Sequence, residues 1–176
     1  MQGLFKATEK RKKKDMNTNQ LFAKLFLGAL LGAAVISPSF AASAESSFNG
    51  GRISVPSNKS FDQVNEAVKS LVAKNGMMIM AQVDQGKMLS MTGLSLQATL
   101  YLIGNPTVGK QLFEQNHGVG LYVPLRLFVY TDQDGKTHVA YDKPSTLLGQ
   151  FGNEKIGMIS QMLDQKIDNL ATMAAQ

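Results

Sequence analysis

Residues 52–176 predict a single α+β domain built on a largely antiparallel sheet. Three observations carry this reading. Apolar residues recur at helical spacing near the start (Phe61 to Val72) and near the end (Ile156 to Leu170). Between them lie apolar runs of strand length with only short helical insertions. Two of these runs are joined by the turn signal Asp132-Gln-Asp-Gly135. Adjacent strands without full-length helices between them favour antiparallel pairing over doubly wound βαβ units. The predicted order is β-α-β-β-β-β-α, with short helices inserted.

Each element has its own signal. Arg52-Ile-Ser-Val55 alternates and reads as the first strand. Ser60-Phe-Asp-Gln63 has the form of a capping box. Phe61, Val64, Ala67, Val68, Leu71 and Val72 then form one apolar stripe, and Asn75-Gly76 supplies the stop. Residues 77–83 read as a strand with Met77, Ile79, Ala81 and Val83 on one side and Met78, Met80 and Gln82 on the other. Residues 85–91 suit a short helix ending at Gly93. Residues 98–103 form the next strand, closed by Gly104-Asn-Pro106, and Pro106 suits the first turn of a helix reaching about Gln115. A loop over 116–120 leads to the longest expected strand, 121–131, and 137–141 returns as its hairpin partner. Residues 144–151 suit a short helix, and Ile156, Ile159, Leu163, Ile167 and Leu170 mark a last helix from about Asn153 to Met173.

Upstream, residues 16–44 have the form of an export signal. Lys24 precedes the apolar run Leu25-Phe-Leu-Gly-Ala-Leu-Leu-Gly-Ala-Ala-Val-Ile36, Pro38 breaks it, and Ala41-Ala-Ser-Ala44 offers cleavage after Ala44 or Ala41. The run is shorter than the roughly 20 residues that span a bilayer, so the expectation is a periplasmic domain with no membrane contact after cleavage. The basic extension 1–15, with Lys10-Arg-Lys-Lys-Lys14, is consistent with a start at Met16. Residues 45–51 are small and polar and read as a loose leader. From Glu45 onward eleven Lys and Arg face eleven Asp and Glu, so the formal charge of +5 belongs wholly to the first 44 residues. A neutral domain lacks the electrostatic footprint of a nucleic-acid binder. Removing 44 of 176 residues leaves 132, enough for one packed core. There is no cysteine, hence neither a lipoprotein anchor nor a disulfide framework.

Several motifs are weighed and set aside. Gly104-Asn-Pro-Thr-Val-Gly-Lys110 matches most of a P-loop, but Gln111 stands where the Mg²⁺-binding hydroxyl belongs. What survives is a helix start with Lys110 nearby that suits a small anion such as a carboxylate. Met77, Met78, Met80, Met88 and Met91 crowd one stretch and raise Cu(I) as an alternative, though methionine also fills cores. His117 and His138 are the two histidines. They complete neither a triad nor a zinc site by sequence, so no catalytic residue, metal ligand or cofactor is assigned. Asn58-Lys-Ser60 is a formal sequon whose Ser60 is explained by capping.

Ser60-Phe-Asp, Gln82-Val-Asp84, Leu102-Ile-Gly-Asn-Pro106, Val123-Pro-Leu-Arg126 and Val139-Ala-Tyr-Asp-Lys-Pro144, in this order and spacing, resemble the domain of unknown function 302 family. The resemblance covers roughly residues 52–151. It implies a TBP-like α+β fold, a curved sheet with helices packed on one face, and frequent self-association, with no settled activity. Gln85 stands where members of the family often carry His, and Ala98 where Pro is usual.

Alternation along 121–131 puts Tyr122, Pro124, Arg126, Phe128 and Tyr130 on a second sheet face, with Met78, Met80 and Tyr101 joining them. Tyr101, Tyr122, Phe128 and Tyr130 are therefore the candidate interface residues. Asp84, Asn105, Thr107, Lys110 and Arg126 are the candidate ligand-binding residues. The expected protein is a periplasmic, non-enzymatic binding or self-assembly module, forming a homodimer. The alternative is a small-ligand or Cu(I)-handling protein using the Met78/Met80 face or the Asn105–Lys110 stretch. A hydrolase-like enzyme, in which Asp84, His117 and Arg126 meet in space, comes third.

Overall fold

The computed structural model describes residues 51–176. The basic extension (1–15), the export signal (16–44) and all of the leader except Gly51 lie outside the described residues. Strand β1 (Arg52–Ser57) is followed by helix α1 (Phe61–Lys74), β2 (Met78–Asp84), α2 (Gln85–Ser90), β3 (Ala98–Gly104) and α3 (Pro106–Phe113). A 3₁₀ turn over His117–Leu121 precedes β4 (Leu125–Thr131) and β5 (Thr137–Asp142). Helix α4 (Pro144–Leu148), a 3₁₀ turn (Gly149–Phe151) and α5 (Glu154–Ala175) complete the chain.

Local chemistry accounts for the boundaries. Ser60 Oγ accepts from the Gln63 N–H while Gln63 Oε1 accepts from the Ser60 N–H, a complete capping box. Gly76 follows α1 at φ 66°, a left-handed position that glycine adopts without a Cβ clash. Asn105 and Asn153 cap α3 and α5 through their side-chain oxygens. At the hairpin, the Asp132 carboxylate accepts the N–H groups of Asp134 and Lys136, and Gly135 takes φ 77°.

The five strands form one sheet in the order β1-β5-β4-β3-β2, every neighbouring pair antiparallel. Directly opposed residues share a face, so the register sorts the side chains. Ile53, Tyr141, Leu127 and Tyr101 form one row beneath the sheet. Val55, Val139, Val129 and Thr99 form the next. Helices α1 and α5 cover this side, where Val64, Val68, Tyr101, Leu127, Val139, Ile167 and Leu170 are sealed from solvent. Sheet and helices are also tied by polar bonds. The Tyr141 hydroxyl donates to Asp168 at 2.7 Å, and Ser57 Oγ donates to the Ala175 carbonyl at 2.6 Å. Among the described residues no buried side-chain polar atom lacks a partner, as a water-poor core demands.

Three expectations change. The strand predicted over 121–131 begins only at Leu125. Pro124 has no N–H to give a ladder, and the N–H groups of Tyr122 and Val123 turn back to the Val119 carbonyl. On β2, Ile79 opposes Ile103 whereas Ala81 opposes Leu102, leaving Met80 as an extra residue. This β-bulge reverses the alternation, so Ala81 and Val83 do not share a side with Ile79. Finally, Tyr101 faces the helices, because it pairs with Leu127 on the covered side.

Candidate functional site

The side of the sheet that α1 and α5 leave open is the first candidate. Rows fixed by the register bring Leu100 beside Phe128 and Ala140, and Ala98 beside Tyr130 and His138. Leu102 stands opposite Arg126, and Val83 opposite Leu100. The aromatic rings are ordered: Phe128 and Tyr130 stack at 5.1 Å between centroids, and Tyr130 and His138 stack at the same separation. At the β2 edge, Met78 and Met80 are about half exposed.

His138 lies in a hydrogen-bonded row. Its Nε2 is 2.7 Å from Asp132 Oδ2, and its Nδ1 is 3.3 Å from Ser54 Oγ, which lies 3.5 Å from the Tyr130 hydroxyl. The hydrogen bond from His138, reinforced by the Lys136 and Asp134 backbone N–H groups, holds the Asp132 carboxyl below its ordinary range. These are the residue types of an acyl-transfer triad. Such chemistry also requires oxyanion donors and a substrate held over the nucleophile, and Asp132 here spends its carboxylate on the hairpin turn. The row orients His138 on the face. At its β1 edge Arg52 Nε donates to Asp142 at 2.9 Å, a hydrogen bond that raises the guanidinium pKa further.

The second candidate is a cavity of about 330 Å³ at the end of β3 and the start of β4, lined also by residues of α3 and α5. Ile103, Leu112, Leu125 and Leu163 line it, with Met80 and Phe113 at its rim. Lys110 is the charged side chain in this lining.

The predicted ligand residues separate. Asn105 and Thr107 sit at the start of α3, and Lys110 lies in its last turn. Asn105 Oδ1 accepts the Thr107 and Val108 N–H groups, and its Nδ2 donates to the Gly76 carbonyl at 2.7 Å. Its amide is thus committed to holding α3 against the end of α1. Asp84 sits at the opposite end of β2, level with Thr99, where it caps α2 through the Lys87 N–H. Arg126 is exposed on the open face and lies outside the cavity lining. The predicted interface residues divide likewise. Phe128 and Tyr130 are on the open face. Tyr101 is buried on the helix side, and Tyr122 packs edge-on against Phe151 at 5.9 Å beside the 3₁₀ turn. His138 belongs to the open face and was not among the predicted residues. The signal for it was present, since the hairpin turn fixes Tyr130 opposite His138.

The family profile described as Domain of unknown function DUF302 matches residues 53–174. The chain belongs to the DUF302 family. A solved DUF302 structure, an uncharacterized conserved protein from Bacillus stearothermophilus, superposes with a TM-score of 0.66 at 18% identity. That superposition covers 70% of this chain and 98% of that one. At that identity the likeness establishes the shared fold: an open five-stranded antiparallel sheet with helices. Among curated proteins the DUF302 chain is 30% identical over 100 residues to the fluoride-specific ion channel FluC 1 of Brucella suis biovar 1 (strain 1330). It is equally similar to FluC 1 of Brucella abortus biovar 1 (strain 9-941). The matches cover 56% of this chain but 39% and 37% of those proteins. The DUF302 chain thus spans less than two-fifths of these relatives, whose named activity is that of the whole proteins.

Proposed function

We infer that this DUF302 domain is an exported, non-catalytic binding module that self-associates as a homodimer through the open face of its sheet. The observation that carries the reading is the uncovered row of Phe128, Tyr130 and His138 beside Leu100 and Leu102, with α1 and α5 both on the other side. Stacked aromatic rings on an apolar floor are what protein interfaces enrich. Five strands about 4.8 Å apart and about 20 Å long give a face of roughly 500 Å². Two such faces in contact cover roughly 1,000 Å², the threshold of a specific interface. Eleven bases against eleven acids beyond residue 44 leave two copies without net repulsion. Export rests on the n-region, apolar run and small-residue cleavage pattern of residues 16–44.

Sedimentation equilibrium of the purified protein tests the interface. The expected result is a concentration-dependent dimer that Phe128→Glu converts to a folded monomer. A strictly monomeric mass at high micromolar concentration overturns the reading, as does an unaltered dimer in the variant. Fractionation and N-terminal sequencing of the native protein test export, with cleavage after Ala44 or Ala41 expected.

A further inference from the structure

We propose that the cavity between α3 and the end of the sheet is a binding site for a small amphipathic monocarboxylate, its hydrocarbon body laid against the apolar walls and its head group held at Lys110. The walls exclude most other chemistries. Ile103, Leu112, Leu125 and Leu163 present only hydrocarbon, and the Asn105 amide is already engaged with backbone groups on both of its polar atoms. A polar ligand body would therefore lose its hydration without replacement. The charged residue of the lining is Lys110, whose side chain is 75% exposed and so free to swing its ammonium to the mouth. One cation at the mouth of an apolar chamber is complementary to one anionic head on an apolar body. Glu114 approaches Lys110 only to 3.7 Å, and an exposed pair of this kind contributes little. A ligand carboxylate displaces it at small cost.

Size and backbone agree with this occupant. At about 30 Å³ for a water-sized group, 330 Å³ accommodates roughly eleven such groups, close to an eight-carbon acid. Cavities of this volume are at the lower end of ligand sites. Gly109, also in the lining, is a glycine inside a helix, where it costs about 1 kcal/mol relative to alanine. Neither dihedral nor crowding demands it. Its φ is not positive, and a Cβ built there meets no atom within 4 Å. The helix carries the unfavourable residue and keeps that space open. The Met80 bulge acts from the other side, bringing the thioether over Gly104 at the rim. Methionine there adapts to apolar bodies of different shape.

The test is a titration of the ¹⁵N-labelled protein with sodium octanoate, with 1-octanol and sodium acetate as controls. Octanoate is expected to give saturable shifts centred on Gly104, Gly109 and Lys110, acetate none, and octanol binding about tenfold weaker. Gly109→Leu, which grows into open space, is expected to abolish octanoate binding while unfolding at or above the parent temperature. Should that variant not fold, Gly109→Ala is read instead, with weakened octanoate binding expected. Lys110→Met is expected to lower octanoate affinity about tenfold and leave octanol unchanged. No saturable shift with octanoate overturns the site, as does undiminished binding in the folded Gly109 variant. Equal octanoate affinity in Lys110→Met overturns the carboxylate assignment. None of these outcomes depends on dimerisation through Phe128.

Discussion

The Tyr101 hydroxyl donates a 2.7 Å hydrogen bond to Asn65 Oδ1, joining β3 to α1 between sheet and helix. Asn65 Nδ2 in turn donates to the Phe61 carbonyl at 2.8 Å, so the amide is satisfied at both ends. Tyr101→Phe keeps the ring and strands Asn65 Oδ1 in the core. The expected loss is about 1–3 kcal/mol, the cost of an unsatisfied buried acceptor. Urea unfolding should show a lower midpoint at unchanged slope; an unchanged midpoint would mean that water replaces the hydroxyl.

The same hydroxyl responds to alkali. Burial, assisted by the Glu66 charge, pushes the Tyr101 phenol up to about 12, above the ordinary value of about 10. A group whose folded value is raised stabilises the fold fully below its unfolded value. That contribution is lost as the pH rises through the folded value, here between about 10 and 12. Tyr141, buried and hydrogen-bonded to Asp168, is raised as well. Phenolate absorbance should therefore show two of the four tyrosines ionising late and together with unfolding, and Tyr101→Phe should leave one such tyrosine. Normal, reversible ionisation of Tyr101 near pH 10 would contradict the buried placement.

Acid acts on the hairpin instead. Asp132 is held below its ordinary range first by the His138 hydrogen bond and then by the backbone N–H groups of Lys136 and Asp134. Its contribution is present above the unfolded value of about 3.9 and disappears as the pH falls through the lower folded value. NMR titration of the Asp132 carboxyl should give a midpoint below the ordinary aspartate value of about 3.9. Asp132→Asn should lose the depressed titration and loosen the ring stack at Tyr130 and His138, read from their ring-proton shifts.

Asn105→Ala separates architecture from ligand binding. The substitution removes the α3 cap, at about 0.5–2 kcal/mol, and also the donor to the Gly76 carbonyl. A clear fall in thermal stability in the absence of any ligand is expected. Parent-like stability would return Asn105 to the list of binding residues.

Much of this architecture is legible in the sequence because local signals agree with the final packing. Ser60 and Gln63 announce the capping box, and Asp132 to Gly135 fix both the hairpin and its register. Phe128 and Tyr130 follow from that register. Tyr101 does not, because an amphipathic ring suits either side of a strand until its hydroxyl finds Asn65, 36 residues earlier. Tyr122 is misplaced for a related reason: Val123-Pro124 reads as continuing alternation, whereas the chain spends those residues on a turn. The Met80 bulge is invisible locally, since an inserted residue shows only against a partner strand. Asp84 and Arg126 look like site residues in one dimension, and antiparallel pairing then carries Asp84 to the end of the sheet remote from Asn105.

The strand order has a consequence for the timing of folding. β1 and β2 are successive in the chain yet occupy opposite edges, and β1 is paired with β5, the Arg52–Asp142 contact closing a separation of 90 residues. The first strand emerging from the ribosome therefore has no partner until the fifth has been made, and pairings of such long span form slowly. The export proposed above needs a chain that stays unfolded in transit, and this topology would build that delay into the domain itself.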